Sequence, residues 1–163
     1  MNCTFARNSA ENGIGGASAE DGFGGVISPL TFINSIMWNE GLELVELPDP
    51  SPEPSIFVSF SDIKGGFEGL GHDNINRDPL LIDPEAGDLR VPRGSPVLDA
   101  GTSELNPYDL SFIQQDIVGI KRPQDGDRDG IPQIDMGAYE FKPSARPPVR
   151  NPLRPPTREP FVP

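Results

Sequence analysis

The chain is poor in cysteine, histidine and basic charge, and it has no long apolar run. Cys3 is its only cysteine, which excludes an intrachain disulfide and any multi-cysteine zinc site. The expected role of Cys3 is that of a small buried apolar residue. His72 is the only histidine, and its Gly-Leu-Gly-His-Asp-Asn setting predicts an exposed loop. No stretch approaches the roughly 20 apolar residues of a membrane-spanning helix, so no membrane span is expected. The N-terminus also lacks the basic, apolar and small-residue zones of a signal peptide. Basic residues number 13 against 25 acidic ones, a net charge of -12, so the positive field that holds nucleic acid or an anionic membrane is missing. Cations, neutral glycans and proteins are the partners that this charge favours.

What the chain has in quantity is turn chemistry. Its 18 glycines and 20 prolines, with hydrophobic residues at 35%, disfavour long helices and predict an all-β chain of short segments. At 163 residues it is long enough for one domain plus a tail. Asn2-Cys3-Thr4-Phe5 aligns with Asn34-Ser35-Ile36-Met37 and with Ser61-Asp62-Ile63-Lys64, at offsets of 32 and 27 residues. Each copy is rich in β-branched or aromatic residues, such as Thr31, Phe32, Ile33 and Ile36, or Ile56, Phe57, Val58 and Phe60. Each ends in turn residues: Asn8-Ser9, Asn39-Glu40-Gly41 and Lys64-Gly65-Gly66. A period of this length without helical spacing suits the coils of a solenoid, with Asn and Ser forming ladders from rung to rung. The glycine-rich stretch from Gly13 to Gly25 is followed by no Lys-Ser/Thr and no helix signal, so an inter-rung insertion is expected there and a phosphate loop is not.

Downstream, Leu80 to Ile82 and Leu89 to Val91 are predicted as short buried strands. Pro79, Pro84, Pro92 and Pro96 keep them from extending a ladder, and Gly87, Gly94 and Gly101 permit reversals. Asp99 and Asp116 are read as acceptors of backbone hydrogen bonds in turns, with Arg122 near enough to Asp116 in sequence for an ion pair. This block has the makings of a terminator that covers the open end of a solenoid. From Pro143 onward eight prolines alternate with Arg146, Arg150, Arg154 and Arg158, the composition of an extended, disordered spacer.

Asp125, Asp127 and Asp129 occupy alternate positions before Gly130, a spacing that crowds three carboxylates into one turn, with Asp135 available to close the set. All-oxygen donors of this kind suit calcium better than zinc. The match to a helix-loop-helix calcium loop is incomplete, because its twelfth position is Met136 and no flanking helices are evident. Two alternatives stand beside the metal: a solvated acidic turn, and an Asp135 that belongs wholly to the Asp-Met-Gly-Ala-Tyr-Glu segment and ties down backbone amides. Catalytic groupings are sparse. Asp62 and Lys64 on one strand, with Arg77 and Asp78 nearby in sequence, are the only set that resembles a carboxylate and proton-abstracting base. No Gly-x-Ser-x-Gly elbow supports a serine nucleophile.

Taken in order, Phe32-Ile-Asn-Ser-Ile-Met-Trp-Asn-Glu, Val58-Ser-Phe-Ser-Asp-Ile-Lys-Gly-Gly, the run from Asn74 to Gly101, Asp116-Ile-Val-Gly-Ile-Lys-Arg-Pro and Asp135-Met-Gly-Ala-Tyr-Glu-Phe resemble the C-terminal part of right-handed parallel β-helix repeat proteins of the pectate-lyase-like superfamily. More narrowly they are similar to choice-of-anchor Q domain proteins. The resemblance implies partial parallel β-helix rungs over residues 1–83, an irregular C-terminal cap with an acidic loop over 84–141, and a disordered Pro/Arg-rich tail over 142–163. It also implies an extracellular or cell-surface parent protein with further coils upstream, contacting polysaccharide or cell-surface glycan as a non-catalytic scaffold or adhesion module. A calcium-assisted polysaccharide lyase is the alternative on the same fold. The sequence does not decide whether the chain is an enzyme, and its balance favours a non-catalytic role.

Overall fold

The structure is a computed structural model that describes residues 1–9, 14–19, 30–46, 56–105, 108–109 and 113–144. Most of the Pro/Arg-rich tail lies outside the described residues, as does much of the glycine-rich stretch. The chain is all-β: nine short strands and one turn of 3-10 helix at Pro84–Ala86, with no α-helix among the described residues. The strands are β1 (Thr4–Ala6), β2 (Ile14–Ala19), β3 (Leu30–Ile33), β4 (Ile36–Trp38), β5 (Leu42–Glu46), β6 (Ile56–Ser59), β7 (Asp62–Ile63), β8 (Glu104–Leu105) and β9 (Tyr108–Asp109).

They form small sheets of two or three strands. Three of these sheets are parallel: β1-β4-β7, β2-β5 and β3-β6. Among the described strands, β8 and β9 are the pair that runs antiparallel. Within the glycine-rich stretch, Ile14–Ala19 is thus a strand paired to β5, and not simply a connection between rungs.

Successive passes stack in parallel register. Thr4 aligns with Ile36 and Ile36 with Asp62, while Phe5 aligns with Met37 and Met37 with Ile63. The aligned repeat was expected to equate Asn34 with Ser61, but the observed register is one residue earlier. The turn before each strand of this sheet falls at Asn2, Asn34 and Phe60, all left-handed with φ of 51°, 51° and 49°. A fourth pass repeats the pattern at Asp73 (φ 56°), and Ile75 bridges to Asp62. Asn and Asp tolerate this conformation because their short polar side chains bond locally. Phe60 does not have that excuse, and similarity of side chains therefore points to the wrong partner.

The residue after the left-handed turn builds a polar ladder. The Cys3 amide donates to Ser35 Oγ (3.4 Å), the Ser35 amide to Ser61 Oγ (3.1 Å) and the Ser61 amide to Asn74 Oδ1 (3.1 Å). Each corner amide is thereby satisfied by the next pass, as buried backbone donors require. Cys3 is only half-buried, and its thiol approaches the Met1 carbonyl at 3.2 Å.

Both faces of β1-β4-β7 are covered, as parallel sheets require. On one face Met37 and Ile63 pack with Ile56, Val58, Phe5, Phe32 and Leu44. On the other, Ile36 packs with Val91, Val97 and Met136 from the C-terminal block. Contacts of that block reach the sheet face at Thr4, Asn34 and Ile36. The Ala138 amide donates to Thr4 Oγ1 (3.0 Å), and Gly137 sits so close that a Cβ there would lie 2.7 Å from Ile36 and 2.8 Å from Thr4.

The predicted strands inside the block are absent. Leu80 is left-handed (φ 57°), Leu80 and Ile82 are about half exposed, and residues 82–90 form a tight reversal closed by Ile82 and Arg90. Pro79, Pro84 and Pro92 supply no donor for a ladder there.

Candidate functional site

Two groups of carboxylates organise the block. The first has Asp135 and Glu140 buried at its centre and forms a relay, in which each acid accepts the backbone N–H of the next acidic residue. Asp116 Oδ2 accepts from the Glu140 amide (3.0 Å), Glu140 Oε2 from the Asp135 amide (3.1 Å), and Asp135 Oδ1 from the Asp99 amide (2.8 Å). Asp99 in turn accepts from the amides of Gly126 (3.2 Å) and Asp127 (2.7 Å). The remaining oxygens are equally committed: Asp135 Oδ2 holds the Phe141 amide, Glu140 Oε1 the Gln124 amide, and Asp116 Oδ1 those of Val118 and Ile120. An irregular segment with no ladder of its own thereby has its donors satisfied by side chains.

Arg122 is the cation of this network. Its Nε lies 3.3 Å from Glu140 Oε2, an ion pair outside hydrogen-bond alignment, and its Nη2 donates to the Gly137 carbonyl (2.8 Å). Nε and Nη1 have no hydrogen-bond partner among the described residues, although the side chain is 1% exposed. The ion pair expected between Asp116 and Arg122 is therefore made by Glu140, which local spacing did not signal. Burial pushes the Glu140 carboxyl up to about 7 and that of Asp135 up to about 6, while burial lowers Arg122 from its usual range. With every carboxylate engaged by backbone N–H groups, the network pins chain segments to one another.

The second group is the acidic turn. Oxygens of Asp99, Asp125 and Asp127 lie within 4.8 Å of one another. Asp125 Oδ2 accepts from Gly130 (3.2 Å), and its buried Oδ1 has no hydrogen-bond partner. Asp127 Oδ1 accepts from the Asp129 amide (2.9 Å) and Asp129 Oδ1 from the Ile131 amide (2.7 Å). Of the four predicted ligands, the structure brings together Asp125 and Asp127. Asp129 caps its own turn, and Asp135 belongs to the relay. Asp99 joins the cluster from a distant segment, which no local spacing in the sequence could announce.

The proposed catalytic grouping does not converge. Asp62 is fully buried in the sheet face: its Oδ1 accepts the backbone amide of Arg77 (3.0 Å), and its Oδ2 has no partner. Burial pushes its carboxyl up to about 7. Lys64 Nζ donates to the Asn39 carbonyl (2.7 Å), Arg77 is exposed, and Asp78 Oδ1 accepts the Leu80 amide. His72 is exposed as predicted, with Nδ1 2.7 Å from Asp73 Oδ2 and its ring edge-on to Phe60. Ser59 Oγ meets the His72 backbone amide at 3.0 Å, so this hydroxyl is engaged by main chain.

No family model matches the sequence, and no curated protein or solved structure matches the chain.

Proposed function

We propose that this chain is a non-catalytic scaffold: a terminal stretch of a right-handed parallel β-helix from a surface or secreted protein, whose outside contacts glycan or protein partners. One observation carries the reading. The outer face of β1-β4-β7, where Asp62, Lys64 and Arg77 would have to line a substrate groove, is instead covered by the block that holds Met136 and Gly137, and Asp62 lies beneath main chain. The parallel registers of β1-β4-β7 and β3-β6, with a left-handed residue before each strand of the first sheet, support coil stacking as the underlying architecture.

Within this reading Asp99, Asp125 and Asp127 hold a hard divalent cation, calcium being the natural choice, as a staple between two segments of the block. Their donors are oxygens only, and the unpartnered Asp125 Oδ1 fits a ligand role. Three carboxylates are fewer than calcium's usual complement, so carbonyls or water would complete the shell.

The test is incubation of the chain with uronate polymers, with and without calcium, while following unsaturated product and, separately, polymer binding. The scaffold reading expects no product under either condition. Product that disappears in Lys64→Ala would replace it with the lyase alternative.

A further inference from the structure

We propose that Lys64 and Asn39 join in an intramolecular amide crosslink, Lys64 Nζ to Asn39 Cγ with loss of ammonia, which ties two successive passes of the chain together covalently. The crosslink needs no partner and is a property beyond the scaffold role.

Asn39 follows β4 and Lys64 follows β7, and because these strands pair in parallel their turns lie side by side. Lys64 Nζ donates to the main-chain carbonyl of Asn39 (2.7 Å), so the amine already sits on the residue that carries the side-chain amide. Asn39 is 1% exposed, and Glu43, on β5, is 4% exposed. The Asn39 side-chain amide is held at both ends. Its Oδ1 accepts from the Asn8 backbone N–H (3.0 Å) and from Asn8 Nδ2 (2.9 Å), and its Nδ2 donates to Glu43 Oε2 (2.6 Å). Glu43 Oε1 accepts the Asn39 backbone N–H, which fixes the carboxylate against that amide. An amine, an amide whose oxygen faces two donors, and a carboxylate on the leaving nitrogen are the parts that acyl transfer to an amine requires.

Lys64 is exposed and gives up its extra proton to solvent, and rotation of its flexible stem carries Nζ from the main-chain carbonyl of Asn39 onto Cγ. The Nζ lone pair forms the new C–N bond, and the carbonyl electron pair moves onto Oδ1, where the Asn8 donors stabilise it. Glu43 takes a proton from the attacking nitrogen and passes it to Nδ2. The carbonyl then re-forms and the Cγ–Nδ2 bond breaks. Ammonia leaves into the recess of about 210 Å³ that Asn39 and Lys64 line. Two amide-forming groups and one ammonia account for every atom, and no oxidant or reductant is consumed.

The folded full chain is incubated at mildly alkaline pH while its intact mass is followed, and its proteolytic digest is searched for a branched peptide that joins Asn39 to Lys64. The expected result is conversion to a species lighter by one ammonia, with that branched peptide in the digest. Lys64→Arg, which keeps a cationic donor at this position, and Glu43→Gln should both retain the full mass. An unchanged mass of the unmodified chain would overturn the proposal. So would loss of ammonia without the branched peptide, the signature of a cyclic imide at an asparagine, or loss that persists in either variant. The digest of the unmodified chain decides the question by itself, so a variant that fails to fold cannot obscure the answer.

Discussion

The side chain of Asn34 forms a two-sided amide pair with the backbone of Thr102: Nδ2 donates to the Thr102 carbonyl at 2.7 Å, and Oδ1 accepts the Thr102 amide at 2.9 Å. Asn34 is 0% exposed and its own carbonyl accepts the Gly137 amide at 2.7 Å. One corner residue of the sheet therefore fastens two separate segments of the C-terminal block. Its left-handed conformation, which Asn adopts more readily than most residues, aims the amide outward to do so.

Asn34→Ala removes both partners of the part-buried Thr102 N–H and carbonyl. At ~1–3 kcal/mol for each orphaned group, the loss expected is about 3 kcal/mol. Denaturant unfolding should show it, with accelerated exchange at Thr102 and a much smaller effect from Asn34→Asp at low pH, where the protonated acid still donates.

Stability should fall as pH rises from about 4 to about 7. Asp62, Asp135 and Glu140 have folded-state carboxyls raised by burial to about 7, about 6 and about 7. Over that interval the native state binds more protons than the unfolded chain, so their contribution is full below the unfolded value and is lost as pH climbs through the folded one. Asp62→Asn keeps the acceptor for the Arg77 amide but cannot ionise. Its melting temperature should accordingly vary less across this window than that of the unmodified chain, as thermal scans at several pH values would reveal.

Gly71 has φ +124°, and a Cβ there would sit 1.7 Å from the Val58 carbonyl oxygen. That position is backbone on both sides, since the Val58 amide also donates to Leu70 (2.8 Å). Gly71→Ala should cost more than ~3 kcal/mol and separate the fourth pass from β6. By contrast Gly65→Ala, with open space around it, should cost only the strain of its positive φ; comparing the two melting curves isolates the steric part.

If Asp99, Asp125 and Asp127 hold calcium, adding the ion raises the melting temperature in proportion to the logarithm of its concentration, and a chelator reverses the shift. Asp125→Asn should abolish that response, whereas Asp129→Asn should leave most of it, because Asp129 is not in the cluster. An unchanged melting curve on adding calcium to the unmodified chain would return the cluster to a solvated acidic turn.

Strand character at Thr31 to Ile36 and at Ile56 to Phe60 is legible from β-branched and aromatic content, and the first repeat offset matches the register of Thr4 with Ile36. The second offset fails because backbone conformation, and not side-chain likeness, makes Phe60 the counterpart of Asn34. β2 is hidden because Gly15 and Gly16 carry no strand signal, and it forms through pairing with β5. Leu80 to Ile82 looks like a strand by composition, but Pro79 and the left-handed Leu80 prevent it. The carboxylate relay was legible only in part, at Asp99, Asp116 and the alternative role of Asp135. Arg122 was legible as a partner of Asp116, but its ion pair with Glu140 comes from a contact across 18 residues that local spacing does not announce.

Native-state hydrogen exchange at Gly137 tests the covered sheet face most directly. Its amide bonds to the Asn34 carbonyl, while the Ile36 amide bonds to Cys3 (2.8 Å) inside the sheet. A block that is integral to the core predicts one opening free energy for both amides, equal to that of global unfolding. Exchange of Gly137 through a separate and less costly opening, with Ile36 still protected, would mean that the block lifts away to expose a groove over Asp62, and would contradict the account.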